Sequence, residues 1–132
     1  MNTVKGVIKT IVYEGEFHFI TVDSKTQPFK LLTLELSDYF RSGRVVSMIF
    51  KETEVAVAKG SSEQVSMANQ IPSKIVAIHV GRIMTQLELI SKVGRISSLI
   101  TTDSFLRLNL KIGDKVTALI KATEISLMDS GA

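Results

Sequence analysis

The chain contains its own likeness. Shifted by 70 positions, Ser47-Met-Ile-Phe-Lys-Glu-Thr-Glu-Val-Ala-Val57 falls on Thr117-Ala-Leu-Ile-Lys-Ala-Thr-Glu-Ile-Ser-Leu127, with Lys51/Lys121, Thr53/Thr123 and Glu54/Glu124 identical. The apolar positions match in kind, and Gly43 falls on Gly113 just upstream. At a shift of 67 the beginnings coincide, Asn2-Thr-Val-Lys-Gly6 over Asn69-Gln-Ile-Pro-Ser73, so the first copy lacks a few residues in its middle. Self-similarity at one spacing implies two copies of a single supersecondary unit. The copies are read as 1–58 and 66–132, joined by a linker over 59–65 whose Gly60-Ser-Ser62 core is polar and flexible. A unit of roughly sixty residues buries little surface by itself, so packing against its twin or against other chains is expected.

Periodicity assigns the class. Val116, Ala118 and Ile120 alternate with Thr117, Leu119 and Lys121, and Phe17, Phe19 and Thr21 alternate with His18, Ile20 and Val22. A two-residue period is that of a strand. Further strand-like runs are 4–12, 30–36, 74–79, 84–90 and 95–101, separated by Gly or by Ser/Lys/Asp-rich breaks. Short helical turns are expected at Ser37–Arg41 and Asp103–Leu108, each opening on a residue able to cap a first turn. The expected fold is therefore all-β: two tandem five-stranded Greek-key barrels of OB-like type, each with one short helical turn. Within the repeated segment the inward phase changes, from Val116, Ala118 and Ile120 to Ile125 and Leu127, and likewise from Val46, Met48 and Phe50 to Val55 and Val57. A slip of one residue swaps the faces of a strand, so a bulge or bend is expected at Lys121–Glu124. Such a kink frees backbone amides beside a lysine, a local chemistry suited to an anion.

Composition removes several function classes. The chain has no cysteine, which excludes disulfide frameworks, thiolate metal sites and cysteine nucleophiles. Its N-terminus lacks the positive start and apolar block of a secretory signal, and no apolar run approaches the roughly 20 residues that span a bilayer. A cytoplasmic protein without a membrane partner is expected. His18 and His79 have no metal-ligand or triad spacing, and no Gly-rich phosphate loop occurs, so no enzymatic activity is expected. The alternative of a nucleic-acid-binding barrel needs aromatic platforms interleaved with basic residues. Here Tyr13, Phe17, Phe19, Phe29, Tyr39 and Phe40 crowd the first half, with 8 basic and 8 acidic groups in 1–65, whereas 66–132 holds 8 basic and 5 acidic groups and Phe105 as its aromatic. Phe17 and Phe19 are read as core.

On these residues the second unit resembles a known family, the Mop domain, also called TOBE, of molbindins and molybdate-responsive regulators. The resemblance runs over nearly all of 66–128. It is carried by Ser66-Met-Ala-Asn-Gln70, Lys74-Ile-Val-Ala-Ile78 with Gly81, Ile100-Thr-Thr-Asp-Ser104, and above all the run from Leu108-Asn-Leu-Lys-Ile-Gly-Asp through Lys121-Ala-Thr-Glu-Ile125. Two such domains in tandem resemble a di-domain molbindin. The resemblance implies an oxyanion site drawing on Ser66, Ala68 and Asn69, where the family has Ser-x-Arg-Asn, so that Ala68 keeps an amide but lacks the guanidinium. It further implies Thr101 and Ser104 from a Thr-x-x-Ser motif, and Lys121 with the amide of Ala122.

This donor set suits the chemistry independently, because a tetrahedral dianion offers acceptors only and is met by hydroxyl and amide donors with limited positive charge. Any one of Ser66, Thr101 and Ser104 would by itself read as an ordinary turn or capping residue. In the first unit Lys51 marks a possible second site, but Glu52 follows it and no Thr-x-x-Ser is present. The implied function is binding of molybdate or tungstate for storage, buffering or sensing, with no cofactor besides the oxyanion. Family resemblance also implies anions held at subunit interfaces, hence a homo-oligomer, a trimer before a dimer.

Overall fold

The computed structural model describes residues 1–60 and 63–130. The first half supplies β1 (Asn2–Glu14), β2 (Phe17–Ser24), β3 (Gln27–Thr33), β4 (Val45–Phe50) and β5 (Ala56–Lys59). The second supplies β6 (Asn69–Val80), β7 (Met84–Ser91), β8 (Gly94–Thr101), helix α1 (Thr102–Leu108), β9 (Lys115–Ile120) and β10 (Ser126–Asp129). Strand formation follows the two-residue period: in β1, Asn2, Val4, Gly6 and Ile8 are buried and the residues between them exposed. The chain is thus all-β with two five-stranded sheets, as its periodicity requires.

Sheet membership, however, crosses the boundary between the repeats. The sheets are ordered β10-β4-β1-β2-β3 and β5-β9-β6-β7-β8, so each takes its last strand from the other half. Ala56–Lys59 lies along β9, and Ser126–Asp129 lies along β4. Lys59, placed in the linker by the sequence, closes β5, and Gly60 accepts a 2.7 Å bond from the Thr117 hydroxyl. Of the expected linker, Ser61 and Ser62 lie outside the described residues.

The phase change is made by a turn and not by a bulge. Glu52–Glu54 and Ala122–Glu124 each form one 3-10 turn, closed by amides of Glu54 and Glu124 donating to the carbonyls of Lys51 and Lys121 at 3.0 Å. The turn lifts the chain off one sheet and seats Val55 or Ile125, 1% and 2% exposed, in the common core before the strand joins the other sheet. The true bulges lie in the long strands, between Ile8 and Thr10 and between Ile75 and Ala77, again 67 residues apart. There Gly43 and Gly113, with φ of +91° and +94°, donate to the carbonyls of Ile8 and Ile75 at 2.8 Å. That left-handed turn explains why glycine stands at both positions.

Two asparagines bolt the halves together. The Asn69 side chain, 1% exposed, accepts from the Lys30 amide at 2.7 Å and donates to the carbonyls of Lys30 at 2.9 Å and Ile120 at 3.1 Å. Asn2 accepts from the Ser97 amide at 2.8 Å and donates to the Ser97 carbonyl at 2.9 Å. Both partners, like both asparagines, are 67 positions apart, so the contacts are related by the pseudo-two-fold symmetry of the repeat. The buried side chains of the two halves form one contiguous cluster.

Two further expectations are corrected. Ser37–Arg41 forms no helix: in a connection shorter than that of the second half, a turn closes with Phe40 N–H to the Ser37 carbonyl at 3.0 Å, and Ser37 caps the Tyr39 amide instead of opening a helix. Phe17 and Phe19 are not core, being 53% and 40% exposed. Phe19 stands opposite Val12 and Leu32 on the outer face, and Ile20, Val22, Phe29 and Leu31 fill the interior instead.

Replacing Asn69 with Leu strands one buried and two part-buried backbone groups and is expected to cost about 2–4 kcal/mol in urea unfolding, with Asn2→Leu somewhat less. Glu88 gives a pH test. Desolvation favours its neutral form, but hydrogen bonds from Ser97, Gln86 and Arg95 outweigh this and hold its pKa below the ordinary value. Since Ser97 is the residue bolted by Asn2, Glu88 supports that contact in its charged form. A depressed folded pKa contributes stability above the ordinary carboxylate range that is lost as pH falls through the folded value. The stability gap between the native chain and Glu88→Gln should therefore be open at neutral pH and close in acid.

Candidate functional site

Where the strands cross between the sheets, the two 3-10 turns face each other across a pocket of about 430 Å³. Its polar wall comes from three separate elements: Thr101 at the end of β8, Ser104 in α1 and Lys121 at the start of the second turn. Thr101 caps α1, accepting from the Ser104 amide at 3.2 Å while its hydroxyl donates to the Ser104 hydroxyl at 3.0 Å. Arg107 donates to the same Ser104 oxygen at 3.4 Å. The cap therefore fixes both hydroxyls at the pocket wall, while Arg107 holds Ser104 from outside the lining. Lys121 is exposed, and its ammonium has no hydrogen-bonded or ionic partner among the described residues.

The apolar wall is Val55 and Ala56 from the first half and Met67, Met84, Leu99 and Ile100 from the second. Among polar residues the first half adds Thr53 and Glu54, and Glu124 completes the lining from the second half. Two carboxylates beside one lysine limit the net positive charge. The lining thus offers placed hydroxyl donors with little net charge.

A smaller pocket of about 200 Å³ is its pseudo-symmetric mate, lined by Lys51, Thr123, Ser126 and Met1, and it shares Glu54 and Glu124 with the larger one. Glu52, adjacent to Lys51, is ion-paired with the amino group of Met1. Nothing there corresponds to Thr101 and Ser104, because the Ser37–Phe40 turn replaces α1.

Of the residues singled out in the sequence, Thr101, Ser104 and Lys121 are brought together, and Lys51 lines the mate. Ser66 and Ala68 flank Met67 on the exposed segment leading into β6, outside the lining, as does Ala122. Asn69 faces away: its side chain is fully engaged between Lys30 and Ile120, so it positions the strand preceding Lys121 and presents no donor to the pocket. Sequence reasoning missed Thr53, Glu54 and Glu124 as lining residues. Their signal was already visible, since Thr53/Thr123 and Glu54/Glu124 are identical between the repeats.

A family described as the TOBE domain matches residues 65–127. Molybdenum-pterin-binding protein 3 of Clostridium pasteurianum is 32% identical over 65 residues, spanning 48% of this chain and 96% of that protein. The chain belongs to the Mop/TOBE family. The aligned region of this Mop/TOBE chain contains Thr101, Ser104 and Lys121, and its fold extends the likeness over both halves. The cytoplasmic molybdate-binding protein ModG, solved with molybdate bound, superposes with a TM-score of 0.91 at 21% identity, covering 97% of this chain and 95% of ModG. That likeness establishes the two-unit, strand-exchanged architecture as a known fold. No helix among the described residues is long and apolar enough to cross a membrane.

Thr101→Val removes the cap of α1 and is expected to cost about 1 kcal/mol in thermal or urea unfolding. Lys121→Ala breaks no bond within the chain and should leave stability within about 0.5 kcal/mol. A loss near that of Thr101→Val would mean that Lys121 is structural.

Proposed function

We propose that this Mop/TOBE chain binds molybdate or tungstate as its cargo in the cytoplasm, for storage, buffering or sensing, and performs no chemistry on the ion. The observation that carries this reading is the meeting of Thr101, Ser104 and Lys121 in one pocket, from elements far apart in sequence, within the region of family likeness. Hydroxyl donors and one ammonium suit a tetrahedral dianion, and the facing Glu54 and Glu124 disfavour indiscriminate capture of anions. No other cofactor enters this reading.

The Ala122 amide and the Ser66–Asn69 segment are proposed to complete the shell, Asn69 by holding the strand and the others by donating from the pocket's mouth. Ser66 and Ala68 lie outside the lining within one chain, which supports a site finished by a second copy. Exposed apolar side chains support such association: Met84 in the pocket wall and its neighbour Ile83 are 37% and 73% exposed, and Phe17, the counterpart of Met84 in the first unit, is 53% exposed. A homo-oligomer, a trimer before a dimer, is the reading adopted. A nucleic-acid role is not favoured.

Calorimetric titration with molybdate, tungstate, sulfate and phosphate tests the function; tight binding of the first two is expected, and no heat with any oxyanion would overturn it. Lys121→Ala and Thr101→Ala/Ser104→Ala should each weaken binding about tenfold or more, since a charge-assisted bond contributes roughly 1.5–3 kcal/mol. Glu54→Gln or Glu124→Gln should strengthen it by relieving repulsion. Light scattering of the loaded protein checks the assembly. A monomer holding one tight anion per chain would replace the shared site with a self-contained pocket.

A further inference from the structure

The basic surplus of the second half is not used up by the oxyanion pocket. Part of it gathers on the outer face of the second sheet. Lys74 of β6 lies directly opposite Lys115 of β9, and on its other side opposite Ile90 of β7, so the three side chains share one face. Like charges directly opposed on neighbouring strands destabilise a sheet. Neither ammonium has a hydrogen-bonded or ionic partner among the described residues; Lys59 pairs with Asp114 and Arg95 with Glu88, leaving this pair uncompensated.

The fold does not require the pair. The pseudo-symmetric row in the first sheet is Val45, Val7 and Asp23, two apolar residues and a carboxylate. The two lysines rim a cleft of about 570 Å³, with Pro72 and Ile90 as apolar walls and Thr117 and Gly60 at its end. No carboxylate lines it, in contrast to the oxyanion pocket. The hydroxyls of Ser73 and Thr117 already donate to the carbonyls of Ile71 and Gly60 at 2.9 and 2.7 Å. The cleft therefore lacks the fixed neutral donors that would test tetrahedral shape, and offers two ammonium groups above an apolar surface instead.

We propose that this cleft is a second anion site, separate from the oxyanion pocket, for a phosphomonoester carried on an apolar organic body. The dianionic head sits between Lys74 and Lys115, and the body lies against Ile90 and Pro72. The volume is in the range of small-molecule sites. Charge selects the head and apolar contact selects the body, so inorganic phosphate should bind more weakly than an aryl phosphate, and an uncharged aryl alcohol more weakly still.

The test is amide chemical-shift titration of the full chain, saturated with molybdate, against phenyl phosphate, inorganic phosphate and phenol. Phenyl phosphate is expected to shift the amides of Ser73, Lys74, Lys115 and Thr117 saturably, with affinity falling about tenfold in Lys74→Met/Lys115→Met and unchanged in Lys121→Ala. Thermal unfolding of the double variant confirms that it folds; removal of the like-charge pair should leave it at least as stable as the native chain. Shifts confined to the Lys121 pocket, or affinity undiminished in the double variant, would overturn the proposal. Equal binding of inorganic and phenyl phosphate would overturn the organic-body assignment.

Discussion

A five-stranded unit of this size has an edge to cover and a core too small to stand alone, and in this protein both needs are met by one device, the reciprocal exchange of the last strand. β5 completes the sheet of the second half and β10 that of the first. The exchange merges the hydrophobic interiors into one cluster, and each crossover residue, Val55 or Ile125, sits within it. Asn2 and Asn69 then fix the relative placement of the units, because each satisfies both the amide and the carbonyl of one residue in the other half. Buried amide groups of this kind are costly to leave unpaired, so the contact selects one register between the units.

The site depends on that arrangement. The 3-10 turns that carry the chain across are also the elements that present Lys121, Glu124 and Glu54. Since the turns are related by the pseudo-two-fold, the two pockets share their carboxylates. Symmetry is broken by α1, which the longer connection of the second half accommodates and which brings the Thr101 cap and the Ser104 hydroxyl to one pocket only. The same divergence appears on the outer face, where Lys74 and Lys115 replace Val7 and Val45. One unit thus concentrates polar donors and positive charge while its twin mainly supplies packing.

Much of this was legible in residues taken singly or in pairs. The alternation in 116–120, the glycines 70 apart and the repeated Lys-x-Thr-Glu segment gave strands, turns and two units, because periodicity and backbone conformation are local properties. Thr101, Ser104 and Lys121 were singled out through the resemblance to the Mop family, and the structure brings all three to one pocket. Phe17 and Phe19 were misread, since alternation shows that a strand has two faces but not which one meets the core. Asn69 was misread for a related reason: an amide suits an anion and a buried backbone equally well, and only its distances to Lys30 and Ile120 separate the two roles.

By itself, then, the sequence determined an all-β chain of two related units, because these follow from spacing and residue chemistry, and its resemblance to the Mop family marked the second unit as the one with the fuller motif. The tertiary structure alone decided which half owns each final strand, that the phase change is a 3-10 turn, and that Glu54 and Glu124 lie at the same pocket as Lys121. Those outcomes depend on pairings between residues as many as 95 positions apart. No local pattern encodes which of two equivalent edges a strand will cover; the burial of Val55 and Ile125 in a shared core makes that choice.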